Sequence, residues 1–260
     1  MKTKKSIIFA SFVLLTAVLI AAIYYLSYRE KSHAPRDFQE IQASGVLNVV
    51  IEYNSVDYYV SGDSIAGLQH ELCQYIENRS GLTVNIQLEN NLEVCIKGLN
   101  DETYDIIARN IPITNENKGF LAFTIPITQN KQVLIQRKPL LEDSVSFIRS
   151  QIDLAYKNIY VPINSPSILR LRNLSEEIAE PIFVEEIEDY SAEQLIYMVA
   201  GEEIDYAVVG KELAEKNALL FPNIDSSIDI SFTQLQAWAV RNSSPVLLDS
   251  LNVWIADFKK

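Results

Sequence analysis

The sequence predicts an α/β fold built as two lobes. Three observations carry it: short β-rich runs alternate with stretches of helical apolar periodicity, the alternation occurs twice along the 260 residues, and extended segments near residues 130 and 230 join the two runs. Such alternation implies parallel strands with helices on both faces and a ligand crevice at the strands' carboxyl ends.

The elements follow in order. Val46 to Ile51, after Gly45, suits a buried parallel strand. Leu68, Leu72, Tyr75 and Ile76 share one face of a helix over 67–79, which Gly81 stops. Residues 82–88 alternate as a strand, Leu92, Ile96 and Leu99 mark a helix, and 104–108 form the next strand. The second set has strands over 132–136, 158–163, 181–184 and 206–209, with helices over 166–178 and 192–199. A strand over 234–240 and an amphipathic helix over 246–258 close the chain. Lobe 1 is expected to comprise 37–131 and 232–260, and lobe 2 residues 132–231.

The N-terminus is a separate physical object. The net charge is −12, but residues 1–36 hold six basic residues and one acidic residue, which leaves sixteen basic against thirty-three acidic beyond them. The remainder is therefore at −17, which argues against nucleic acid, because phosphate contacts need Lys and Arg in excess. Residues 6–28 carry no charge and are long enough as a helix to cross roughly 30 Å of hydrocarbon. Tyr24, Tyr25 and Tyr28 suit the interface, and Lys2, Lys4 and Lys5 hold the preceding end in the cytoplasm. The apolar length favours an uncleaved anchor (1–28) followed by a polar stalk (29–36) over a cleaved signal. Cys73 and Cys95 lie on helices expected on opposite faces of a sheet, and are read as two buried thiols rather than a disulfide.

The order and wording of these segments resemble the extracytoplasmic solute-binding protein family 3, with its type 2 periplasmic binding fold. The solute-binding-like domain of the membrane-bound lytic transglycosylase F family is especially similar. The likeness rests on Phe38-Gln-Glu-Ile-Gln-Ala-Ser-Gly-Val-Leu-Asn-Val49, Ile65-Ala-Gly-Leu-Gln-His-Glu-Leu72, Tyr104-Asp-Ile-Ile107, Glu203-Ile-Asp-Tyr-Ala-Val-Val209 and Ala237-Trp-Ala-Val-Arg241. It implies a single-pass protein of the bacterial inner membrane with its globular part in the periplasm. A small-molecule ligand is implied too, and either an ABC-type permease or a cell-wall enzyme as partner.

The ligand chemistry departs from the family's pattern. Amino-acid binders of this family use a Thr-x-Glu-Arg element whose guanidinium clamps the ligand carboxylate; here it is Thr114-Asn115-Glu116-Asn117, and Asn117 cannot supply the charge. Arg109 and Asn110, just upstream, offer a cation from another position, against which stands a plain ion pair. Gly210 occupies the place of the acid that holds a ligand ammonium in the family. Asn54, Tyr58 and Tyr59 follow the first strand and either cover a ligand or close the lobes. Asn164 and Ser165 precede a helix, and serve as a plain cap or as an anion seat as well.

Catalytic readings have little support. His33 lies in the stalk and His70 on a helix without a nucleophile beside it. The acidic runs Glu185 to Asp189 and Glu202-Glu203 lack calcium-loop spacing and read as solvated surface. Transglycosylases of the resembling type continue into a catalytic domain, whereas this chain ends at Lys260, so no enzyme activity, cofactor or metal is expected. Three functions remain: a tethered receptor for a small amino-acid-like or peptide-like solute; a regulatory or scaffold protein of the cell envelope with a degenerate pocket, partnering a separate lytic transglycosylase; or, with least support, an enzyme subunit that needs a separately encoded transglycosylase.

Overall fold

Capping chemistry starts the body of the protein. Asp37 accepts the Phe38 N–H at 2.7 Å while Glu40 reaches back to the Asp37 N–H at 3.1 Å, winding the chain into α1 (Phe38–Ser44). Gly45, left-handed at φ 73°, ends it. The computed structural model describes Thr16, residues 18–21, 36–139, 147–188 and 190–260; the chain divides into two units, Met1–Pro35 and Arg36–Lys260. In the first unit the described residues are helical, with Val18, Leu19 and Ile20 exposed. Among the described residues no helix is long and apolar enough to cross a membrane; the expected anchor and stalk lie almost wholly outside them.

The second unit carries two sheets. Sheet 1 begins with β1 (Val46–Ile51), flanked in parallel by β4 (Thr83–Leu88) and β5 (Ile106–Pro112). Between β1 and β4 come a hairpin, β2 (Tyr59–Ser61) and β3 (Ser64–Ala66), and α2 (Leu68–Ser80); α3 (Leu92–Asn100) links β4 to β5. Two short strands follow, β6 (Ala122–Phe123) and β7 (Thr128–Asn130), and then the chain crosses into sheet 2 through β8 (Gln132–Arg137). Sheet 2 adds β9 (Asn158–Pro162), α4 (Ser167–Ile178), β10 (Phe183–Ile187), α5 (Ala192–Ala200), β11 (Ala207–Gly210), α6 (Lys211–Ala218) and β12 (Ile224–Asp225). The return crossing leads to β13 (Gln234–Val240), antiparallel to β5, β6 and β7, and to α7 (Pro245–Phe258). The orders are β4-β1-β5-β13-β6 and β10-β9-β11-β8-β12, so each lobe has a parallel core finished by antiparallel strands.

Alternation along the strands sorts each core onto two faces. In sheet 1, Leu47, Val49 and Ile51 pack with α2 and α7 around buried Trp238, while Val50, Ile107 and Ala239 pack with α3. Cys73 belongs to the first layer and Cys95 to the second, and both are free and buried. In sheet 2, Val133 and Ile135 face α5 and α6, while Leu134 and Val208 face α4.

One polar node is buried under sheet 1. Asp105, fully buried, accepts from Arg36 Nε at 2.8 Å, Arg36 Nη2 at 3.2 Å, Arg241 Nη2 at 3.1 Å and the Asn48 N–H at 3.0 Å. Arg241 also holds the carbonyl oxygens of Leu99 and Arg36, each at 2.9 Å. The node ties the start of the body to the last strand of its sheet.

Candidate ligand cleft

Strand ends from both sheets converge on one cavity of about 360 Å³. Lobe 1 contributes Glu52 and Asn54 after β1, Glu89 and Asn90 after β4, and Arg109 and Asn110 from within β5. Lobe 2 contributes Asn164 and Ser165 after β9, Glu188 after β10, and Gly210 and Glu212 at the β11–α6 junction. This is the crevice expected of parallel strands in an α/β sheet, here doubled across two lobes.

The guanidinium of Arg109 is occupied. Its Nη2 lies 2.7 Å from Glu52 Oε2, and its Nη1 donates to the Asn90 carbonyl at 2.8 Å. Burial works against its charge, but Glu52 and the nearby Cys95 together outweigh that and hold the pKa above its ordinary value. Glu52 is itself pushed up by burial, with Arg109 opposing and the charge of Asp57 adding to the rise.

Asp57 anchors the floor of the cleft. Its Oδ1 accepts from Gln69 Nε2 at 3.0 Å and Asn110 Nδ2 at 2.8 Å, and its Oδ2 from Asn54 Nδ2 at 3.0 Å. Asn54 Oδ1 in turn accepts the Val56 and Asp57 N–H groups at 2.9 and 2.8 Å, closing the loop on itself. Gln69 Oε1 takes the indole N–H of Trp238, so the network is keyed into the core. Burial raises the Asp57 pKa against the pull of the three amides; burial, then the charges of Asp57 and Glu215, also raises that of Glu212.

These directions fix a sign for pH. A carboxyl whose folded pKa is raised binds its proton more readily when folded, so its contribution to stability grows as pH falls through that value and is lost as pH rises. The melting temperature of the ligand-free protein is expected to climb from about pH 7 toward about pH 5, above the ordinary carboxylate range near 4. At lower pH, Asp153, Glu177 and Asp257, whose pKa values are lowered, reverse the trend. Glu212→Gln removes part of the climb; a melting temperature falling steadily over the same window contradicts the assignment.

The remaining residues singled out in the sequence are placed as follows. Tyr58 does not line the cavity; it packs on the lobe 1 core with its ring edge-on to His70, centroids 5.4 Å apart. Tyr59 also lies off the wall, with Lys216 Nζ of lobe 2 at 3.8 Å from its ring centroid. Thr114 Oγ accepts the Asn117 N–H at 3.1 Å, and Asn117 Nδ2 donates to the Pro112 carbonyl at 3.0 Å, forming a turn outside the cavity wall. Ser165 Oγ receives the Ser167 N–H at 3.2 Å at the start of α4, and Asn164 Nδ2 spans the lobes to Glu93 Oε2 at 2.9 Å. Gly210 lines the wall; a Cβ there would lie 3.1 Å from Asn130 Nδ2.

The lobes also touch directly. The Ser55 N–H donates to Glu193 Oε2 of α5 at 3.2 Å, Asn217 Nδ2 of α6 holds Glu193 Oε1 at 2.9 Å, and Val56 packs into the lobe 2 core. Glu52, Asp57, Glu89, Glu188 and Glu212 are the acidic cleft residues that sequence reasoning missed. Glu188 was read as part of a solvated acidic run; Asp189 lies outside the described residues.

A ligand-sized cavity between two α/β lobes joined by two crossings defines a two-lobe binding protein of the periplasmic-binding-protein fold. Residues 47–260 match the sequence profile of the bacterial extracellular solute-binding proteins, family 3, and the chain belongs to that family. Among curated relatives, the membrane-bound lytic murein transglycosylase F 1 of Alkalilimnicola ehrlichii is 25% identical over 230 residues, covering 86% of this chain and 45% of the relative. Membrane-bound lytic murein transglycosylase F of Cellvibrio japonicus is 23% identical over 245 residues, covering 94% and 48%. The chain thus spans about half the length of the curated relatives it matches. Among solved structures, holo ArgBP from T. maritima superposes with a TM-score of 0.74 at 22% identity, covering 86% of this chain and 94% of that one. The amino acid ABC transporter substrate-binding protein AbpA from Streptococcus pneumoniae, bound to L-arginine, gives 0.71 at 16%, covering 85% and 92%. At these identities the structural likeness is one of fold.

Proposed function

We propose that the protein is a membrane-tethered, extracytoplasmic solute-binding module that captures a small amino-acid-like or peptide-like ligand between its lobes. Lobe 1 is taken as 37–131 and 232–260, lobe 2 as 132–231, with hinges at the crossings. The observation that carries the reading is the cavity of about 360 Å³ at the carboxyl ends of both parallel cores, within the size range of small-molecule sites. The module acts by binding rather than by catalysis, and the family membership of residues 47–260 supports this. Its partner is a permease or a cell-wall enzyme; the relation to the transglycosylases favours the latter.

A thermal-shift screen of the full-length protein in detergent, with amino acids, dipeptides, amines and muropeptide fragments, tests the reading. A binding ligand at one hundred times its Kd is expected to add about 2.7 kcal/mol of stability. A flat response to every class rejects it. The second reading, a regulatory or scaffold protein with a degenerate pocket, is favoured by the pairing of Arg109 with Glu52 and by the direct lobe contacts of Ser55 and Asn164. A flat screen selects that one.

A further inference from the structure

Asp57 presents an unbalanced charge. It is only 5% exposed, it lines the cleft, and its three side-chain partners are neutral amides. Among the described residues it takes part in no ion pair. A carboxylate taken out of water calls for a countercharge, since amide hydrogen bonds offset only part of its desolvation. The surroundings supply more of the same sign: Glu52, Glu89, Glu188 and Glu212 line the same cavity; burial raises the pKa of Asp57 against its amides and the charge of Arg109, and burial with the charges of Asp57 and Glu215 raises that of Glu212. Arg109, the cation on that wall, is spent on Glu52.

The side chains that the sequence offered for a carboxylate are engaged as well. Asn117 donates to Pro112, Asn164 to Glu93, and Ser165 Oγ accepts the Ser167 N–H at the head of α4. Among the described residues no three His, Cys, Asp or Glu side chains converge as a metal cage, so the fit is to a spread-out organic cation.

We infer that the cleft takes an organic cation, an amine or guanidinium compound, whose positive end sits at Asp57, and that it discriminates against an α-carboxylate because Glu52 occupies the Arg109 guanidinium that would receive one. The inference rests on the binding reading above and names its substrate class. Glu52 is then a specificity-determining residue: it keeps Arg109 from clamping a carboxylate and leaves the cleft net negative.

Matched pairs test it. Titration calorimetry of the full-length protein compares agmatine, putrescine and cadaverine with L-arginine, L-ornithine and L-lysine, with L-glutamate and L-glutamine as charge controls. Each decarboxylated amine is expected to bind at least about tenfold tighter than its parent amino acid, the scale of one charge-assisted hydrogen bond. Glu52→Gln frees Arg109 and is expected to narrow that ratio by about tenfold through tighter amino-acid binding. Because this variant leaves a buried guanidinium without its carboxylate, Glu212→Gln, at an exposed position of α6, serves as the second probe. It is expected to weaken both members of each pair by a similar factor, leaving the ratio intact. Amino acids binding as tightly as their amines, or glutamate and glutamine binding while the amines do not, overturn the charge assignment and leave the binding reading standing. No binding by any compound in the wider thermal screen overturns both.

Discussion

Asp105→Ala is expected to lower the unfolding free energy by about 3–5 kcal/mol, the cost of removing one partner from a buried charged cluster. Asp105 is fully buried and takes the guanidinium groups of Arg36 and Arg241 together with the Asn48 N–H. Without it, Arg241, itself 5% exposed, is left with carbonyl and hydroxyl partners and no countercharge. Urea denaturation of the full-length protein measures the loss. Asp105→Asn, which keeps an acceptor but removes the charge, is expected to fall between the two. A loss below about 1 kcal/mol for the alanine variant would place the pair among ordinary surface bridges and contradict the burial argument.

Gly67→Ala is expected to be comparably damaging and to abolish ligand capture. Gly67 sits at φ 121°, and a Cβ there would lie 2.3 Å from the Asp57 carbonyl oxygen and 2.8 Å from the Tyr58 nitrogen. These are backbone atoms, so the clash is relieved only by moving the 57–58 loop, and that loop carries the cleft carboxylate. Backbone strain and overpacking together make the expected loss about 2–6 kcal/mol. Gly45→Ala is the control: Gly45 is also left-handed, at φ 73°, but has nothing within 4 Å of a Cβ, so about 1–2 kcal/mol is expected and binding is kept. Equal losses at the two positions would show that the dihedral, not the contact, dominates.

Much of the architecture was legible because hydrophobic period is a local property. The run Val46 to Ile51 is the strand expected, and the helix stopped by Gly81 ends there in a left-handed cap. Phe38–Ser44 was missed as a helix although Asp37, Glu40 and Gly45 spell out its two ends. Lys211–Ala218 was missed because β11 runs into it without a loop, Gly210 serving as the N-cap. The cleft was less legible for a different reason. Arg109 and Glu52 are 57 residues apart and meet only because β1 and β5 are neighbours, so no spacing announces that the cation is already taken. Asp57 reads as a turn residue in Asn54-Ser-Val-Asp57; that it is buried and amide-bound depends on Gln69 and Asn110 arriving from α2 and β5.

The placing of Arg36 has a mechanical consequence. It enters the body at the Asp105 node, and α7, which closes the chain, packs on the same sheet. Both ends of the body therefore belong to lobe 1, and the chain passes to lobe 2 and back through two crossings, near Lys131 and Ser231. In the proposed closure about the crossings, lobe 1 is the stator and lobe 2 the rotor. A pull on the chain ahead of Arg36 runs first into the node and sheet 1, not into the crossings.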